Sequence, residues 1–128
     1  MKKLILILLL STVMFSSSSY AGWTAVTVDI NGNIHYVDFE RIRKHDGYVY
    51  YWRLRNYLVP DEDGDLSSKV YKQGDCKLFR NMRLSSSYHT QPMGEGTPST
   101  ISNKPKKEWT YPSPDSVAEI VLKQVCNR

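Results

Sequence analysis

The sequence predicts an α+β domain, in which an antiparallel β-sheet is covered on one face by a single C-terminal α-helix. That is the layer arrangement expected when a run of strands is followed by one helix. Three observations carry the prediction. Short stretches of alternating apolar and polar residues recur between Trp23 and Tyr88. One capped, amphipathic segment closes the chain, ending at Cys126. The only two cysteines, Cys76 and Cys126, stand one among the strands and one at the end of that segment.

Residues 1–21 are expected to be an export signal and not part of the domain. Lys2 and Lys3 form a positive start, and Leu4 to Leu10 is an unbroken apolar run extended by Val13, Met14 and Phe15. Ser19-Tyr20-Ala21 places small residues at both positions that a signal peptidase reads, which predicts cleavage after Ala21. The apolar run is short for a bilayer span, and polar Ser16–Ser19 follows it. Gly22 and Trp23 come next, so no cysteine stands at the cut to carry a lipid. The expected product is one domain over residues 22–128, periplasmic or secreted to the cell surface and not lipid-anchored. Removing Lys2 and Lys3 from the 17 basic residues leaves 15 against 13 acidic, a net charge of +2. So small an excess makes no case for nucleic-acid binding.

A domain of this size buries a modest core and gains from a covalent staple. In an oxidising compartment two cysteines are expected to pair. A Cys76–Cys126 bridge would close a loop of about 50 residues and, by chain entropy, stabilise the fold by roughly 4 kcal/mol. Its role would be to pin a last helix that otherwise frays. The alternatives are two free thiols or a bond between molecules.

The elements follow in order. Trp23–Ile30 alternates, with Val26, Val28 and Ile30 on one face, and Asn33–Phe39 alternates after Asn31-Gly32. Asn-Gly adopts the positive φ angles of a tight hairpin, so these two strands pair. Glu40–Gly47 is polar and reads as a connection, with one helical turn near Phe39–Arg43. Tyr48–Val59 is the strongest strand, dense in aromatic and β-branched residues. Its two faces carry Tyr48, Tyr50, Trp52, Leu54 and Leu58 on one side, and Val49, Tyr51, Arg53, Arg55 and Tyr57 on the other. Pro60–Ser67 is an acidic break. Lys69–Gln73 is a short strand, and Lys77–Tyr88 alternates again, with Leu78, Met82 and Leu84 on one face and Phe79, Asn81 and Arg83 on the other. His89–Lys107 is a long loop with a short strand near Pro98–Ser102. Ser113 is placed to cap the helix, Pro114 to open it and Asp115 to face its positive end. Val117, Ala118, Val121, Leu122 and Val125 make its apolar face, and Glu119 and Lys123 pair on the other.

Few constellations point to chemistry. Asp61, Asp63 and Asp65 begin like a calcium loop, but that loop needs Gly sixth and Glu twelfth, where Leu66 and Lys72 stand. A solvated acidic turn is the expectation. His35, His45 and His89 are scattered without ligand spacing, so no metal site is expected. No nucleophile elbow, triad or cofactor motif is present, and the expectation is a protein that is not an enzyme and carries no cofactor. The candidate binding patch is Tyr51, Arg53, Arg55 and Tyr57, provided that this strand face is free of the helix. Tyr and Arg are favoured in recognition surfaces. The simpler alternative is an ordinary exposed sheet face on which tyrosine rings shield arginine stems. Lys104, Lys106 and Lys107 flank Pro105 in the long loop and could attract acidic partners, or be plain solvated surface.

Taken in order along the chain, these pieces resemble a known family. The pieces are the export signal, Tyr36-Val37-Asp38, the Tyr48–Trp52 strand, Gly74-Asp75-Cys76, the basic strand through Arg80 and Arg83 to Tyr88, and Gly94–Gly96. Trp109, Pro112-Ser113-Pro114-Asp115-Ser116 and the helix ending in Val125-Cys126 complete the set. Together they resemble the surface-adhesin protein E family of Gram-negative bacteria over nearly all of residues 22–128. The resemblance implies a curved antiparallel sheet of about six strands, the usual size of a sheet, with the C-terminal helix tethered across it by the disulfide. It also implies a binding module that recognises a protein or surface polymer: host matrix or serum proteins, and in a homodimer. The alternative is a structural protein of the periplasm with an envelope component as its partner.

Overall fold

The computed structural model describes residues 22–128 of the chain; the expected export signal lies outside the described residues. Seven strands and one α-helix make up the fold. They are β1 (Trp23–Val28), β2 (Ile34–Asp38), β3 (Arg43–His45), β4 (Tyr48–Asn56), β5 (Ser67–Asp75), β6 (Arg80–His89), β7 (Thr100–Ser102) and α1 (Val117–Cys126). The strands form one antiparallel sheet in the order β1-β2-β4-β5-β6-β7. Short β3 pairs with Tyr48–Tyr50 of β4, while β2 pairs with residues 53–56 of the same strand. The α+β class, the single sheet and the terminal helix are as the sequence predicts.

Local chemistry accounts for the boundaries. The β1–β2 hairpin forms at Asn31-Gly32, but its turn is wider than two residues because Asp29 organises it. The Asp29 carboxylate accepts the N–H groups of Asn31 and Asn33, each at 3.0 Å. Its carbonyl accepts the N–H of Gly32, where φ is 83°. The strand therefore stops at Val28, and Ile30 stands fully in solvent. Residues 43–50, expected to start with a plain connection, instead make a second hairpin around Asp46 and Gly47, both at positive φ. Every residue of β3 is exposed, so no apolar alternation announces it. β4 ends at Asn56, and Leu58 and Val59 lie exposed beyond it. β5 is longer than Lys69–Gln73, and β6 begins at Arg80 because the Asp75 carboxylate accepts the N–H groups of Lys77 and Leu78 and turns the chain.

The core lies between the sheet and α1. Val37, Val49 and Tyr51 meet Val121, Leu122 and Val125, all 2% exposed or less. Burying each such side chain stabilises by about 1.5–3 kcal/mol. α1 comes close because Gly74 of β5 presents no side chain: a Cβ there would sit 3.0 Å from Leu122 Cδ1 and 2.8 Å from Val49 Cγ1. The helix starts three residues later than Ser113. Asp115 takes a positive φ of 62°, which keeps Ser113–Asp115 as a turn, and Ser116 caps instead, its hydroxyl accepting the Glu119 N–H. Cys76, in the turn after β5, is bonded to Cys126 at the end of α1, with Cα atoms 5.7 Å apart. The staple thus holds the last helical turn against the β5–β6 corner, as expected.

Candidate functional site

β4 decides what each sheet face offers. Val49, Tyr51, Arg53 and Arg55 alternate onto the face that carries α1, so the condition for the patch Tyr51–Tyr57 is not met. Tyr51 is 1% exposed under the helix, and burial pushes its hydroxyl up to about 12, with Arg53 opposing. Tyr51 is a core residue, a correction to its place in the candidate patch. The correction follows from the apolar face of α1, which takes the most apolar part of that strand face. Arg53 and Arg55 are the next two residues on the same face, and there the helix no longer covers the sheet.

At that place the pairing register gathers cations from three strands. Arg55 stands between His35 of β2 and Ser68 of β5. Lys72 of β5 faces Tyr51 on one side and Arg83 of β6 on the other. Arg53, Arg55, Lys72 and Arg83 line one cavity of about 230 Å³, with His35 and Tyr88 at its edge. Among the described residues none of these four cations forms an ion pair with a carboxylate. Like charges facing each other across strands are destabilising. Burial, then the charges of Arg53, Arg83 and Lys106, brings the Lys72 ammonium down to about 8. Its ammonium donates to Asn81 Oδ1 at 2.9 Å. Lys106 joins the same surface, lining an adjoining cavity with Lys72, Arg83 and Glu108, and its backbone N–H donates to the Arg83 carbonyl at 2.9 Å.

His35 joins the cluster to the first hairpin, its Nδ1 lying 3.4 Å from Arg53 Nη2. Its Nε2 lies 2.9 Å from Asp29 Oδ2. That hydrogen bond, with the backbone N–H groups of Asn33 and Asn31, holds the Asp29 carboxyl at about 2 against the opposing effect of burial. Burial lowers the imidazole itself, with Asp29 opposing and Arg53 assisting. Tyr57 leaves the strand and packs beside Arg55, whose guanidinium donates to its hydroxyl at 3.1 Å and lies 4.8 Å from its ring centroid. Lys104 and Lys107 are exposed in the long loop and line neither cavity.

The opposite sheet face carries aromatic residues. Tyr71 of β5 packs between Trp52 and Tyr50 of β4, with centroids 4.7 and 6.3 Å away. Tyr48 stacks on Trp109 at 5.7 Å, and the Arg80 guanidinium lies 4.3 Å from the same indole. Leu54, on this face, is buried where the Pro92–Gly94 turn crosses the sheet. The acidic turn also has an evident structural role. Asp61 accepts the N–H groups of Asp63 and Asp65, and Asp65 accepts the Ser99 hydroxyl at 2.6 Å, tying the turn to the long loop.

Comparison with known proteins places this arrangement. The profile of a family described as surface-adhesin protein E matches residues 23–127. The chain belongs to that family. Two solved structures of Haemophilus influenzae protein E, crystal form II and the Se-Met form, superpose on this surface-adhesin protein E domain with TM-scores of 0.66 and 0.65. Both are 18% identical to it; they cover 87% of this chain, which in turn covers 91% and 90% of theirs. No curated protein matches the chain. At that identity the structural likeness speaks for the fold of the surface-adhesin protein E domain, and its site must be argued from its own residues.

Of the cations that line these two cavities, the candidate patch read from the sequence includes Arg53, Arg55 and Lys106 and leaves out Lys72 and Arg83. Placing Arg83 on one face of its strand was within reach of alternation. Bringing Lys72 opposite it depends on the β5–β6 register, which shifts at Tyr71/Lys72 through a bulge.

Proposed function

We propose that the protein is an exported binding module of the surface-adhesin type, recognising a protein or surface polymer without catalysis. The observation that carries the proposal is the cavity on the α1 side of the sheet, where four cations from β4, β5 and β6 have no acidic partner among the described residues. Charge held unpaired on a rigid sheet is available to a ligand. The polar groups nearby do not form a nucleophile and base. Ser68 and His35 lie on either side of Arg55, two strand spacings or about 10 Å apart, too far for an imidazole to act on a hydroxyl. Recognition would involve Arg53, Arg55 and Lys106, with Tyr57 at the margin, and not Tyr51, Lys104 or Lys107.

The test is binding of the purified domain, residues 22–128, to host matrix and serum proteins at physiological salt. The expected result is saturable binding that Arg55→Gln weakens. A panel with no ligand, together with an unaltered phenotype for Arg55→Gln in cells, removes the adhesive proposal. A second reading, a periplasmic envelope protein, is favoured by one observation. Both cysteines are bonded to each other, which leaves neither thiol to carry a lipid. Protease treatment of intact cells separates the two, because a periplasmic protein is cut only after the outer membrane is opened.

A further inference from the structure

We propose that the cavity formed by Arg53, Arg55, Lys72 and Arg83 is a site for a tetrahedral oxyanion, a sulfate or phosphate group. The inference deepens the binding-module proposal and rests on it. The register fixes the geometry: Arg53 and Arg55 are successive on one face of β4, and Lys72 and Arg83 face each other across β5 and β6. Neighbouring strands lie about 4.8 Å apart and residues about 3.3 Å along a strand, so these long side chains reach one cavity from positions within two strand spacings across the sheet and about 13 Å along it. Without an anion this is a set of repelling charges on half-buried stems. One such anion would offset part of that repulsion and accept from two guanidinium forks, the geometry for which arginine is suited.

The surroundings limit the ligand further. The cavity of about 230 Å³ holds a tetrahedral oxyanion and a few waters, at about 30 Å³ per water. Acidic side chains stand beyond both ends of it. Glu108 lines the adjoining cavity with Lys106, and Asp61 and Asp63 line a shallow depression that starts at Arg55 and Tyr88. A long, uniformly anionic chain would meet these carboxylates, whereas a single charged group on an otherwise neutral molecule would not. The depression also presents Tyr57, Asn31 and Asn33. A ring and two amides of that kind suit the hydroxyls and apolar face of a sugar bearing the group.

Lys72 gives the site a pH dependence. The titratable and charged groups facing it are Tyr51 and Arg53 from β4, Arg83 from β6 and Lys106 from the loop, with Glu108 beyond; Tyr51, held up at about 12, stays neutral near pH 8, and α1 contributes uncharged Ala118. An anion among them favours the ammonium form, so binding should weaken as pH rises above about 8, where free Lys72 loses its proton.

The experiment is titration calorimetry and thermal unfolding of the domain with inorganic sulfate, inorganic phosphate, a hexose monosulfate and a hexose monophosphate. Sodium chloride at matched ionic strength is the reference. The expected result is saturable stabilisation beyond the chloride reference, reduced at least tenfold in affinity by Arg83→Gln and by Lys72→Met. Lys104→Gln should bind like the wild type. Lys72→Met removes a repelling charge, so its folded state is not at risk, and melting of the free variants checks this. Equal binding of ion and ester assigns the site to a free oxyanion; tighter binding of an ester assigns it to a sugar-borne group. Stabilisation no greater than chloride's, or binding unchanged in Lys72→Met, overturns the inference. Should matrix proteins still bind, and bind Lys72→Met equally well, the binding-module proposal survives that loss; an oxyanion site without any protein or surface ligand refutes adhesion alone.

Discussion

Lys72 shows how far a residue's neighbours in space can override its neighbours in sequence. Within Lys69–Gln73 it reads as a polar position on a short strand, yet pairing sets it among Arg53, Arg83 and Lys106. Its folded-state value of about 8 lies below the ordinary lysine value of 10.5. Between those two values the unfolded chain holds the proton that the folded chain has released, so stability contributed through this residue rises with pH across that window. Below about 8 the full repulsion opposes folding. Lys72→Met is therefore expected to unfold at higher urea than the wild type at pH 7, the gap closing as pH approaches 10.5. Urea titrations at several pH values check this, and a gap independent of pH would assign the effect to packing. Gly74 works by the absence of a side chain. With a Cβ predicted 2.8 Å from Val49 Cγ1 and 3.2 Å from Tyr51 Cε1, Gly74→Ala should destabilise by about 1–3 kcal/mol through overpacking, read as a lower unfolding midpoint. That glycine was visible in the sequence as part of Gly74-Asp75-Cys76, but the helix arriving over it was not.

The elements differ in how openly they declare themselves. β1 and β2 show alternation, whereas β4 declares itself by its density of aromatic and β-branched residues, because Leu54 is buried on the face away from α1 just as Val49 and Tyr51 are beneath it. β3 shows neither: Arg43, Lys44 and His45 are all exposed, and only pairing to Tyr48–Tyr50 makes them a strand. For α1 the apolar spacing located the buried face, Val121, Leu122 and Val125, while the cap moved from Ser113 to Ser116. Both serines are chemically able to cap. The choice fell to the backbone, since Asp115 at φ 62° cannot belong to the helix. Ser116→Ala should therefore cost about 1 kcal/mol, measured by chemical denaturation, and Ser113→Ala much less. An equal loss at both positions would place the cap at the turn as a whole.

For the whole molecule, the staple joins the two halves of the design. Cys126 ends the helix that covers β1, β2 and the start of β4, and Cys76 sits at the β5–β6 corner on the far side of the sheet order. Breaking the bond should lower stability by about 2–5 kcal/mol. Cys126→Ser is expected to lower the unfolding midpoint and to expose α1 to limited proteolysis first, because its last turn loses its tether. Where α1 comes to rest also shapes the candidate site. It covers Val49 and Tyr51 and stops short of Arg53, so one strand face is divided into core and cation-lined cavity. The sequence by itself determined the α+β class, the order of the main elements and the buried face of the helix, which follow from periodicity, turn chemistry and composition and are local. Its motifs, taken in order, carried the likeness to the surface-adhesin protein E family, and it offered the bond between its two cysteines as one expectation among three, which the fold decides. Only the tertiary structure decided which half of β4 lies under the helix and which basic side chains share a cavity. Those depend on strand register and on the seat of α1, and a bulge at a single position, here beside Lys72, changes which residues face one another.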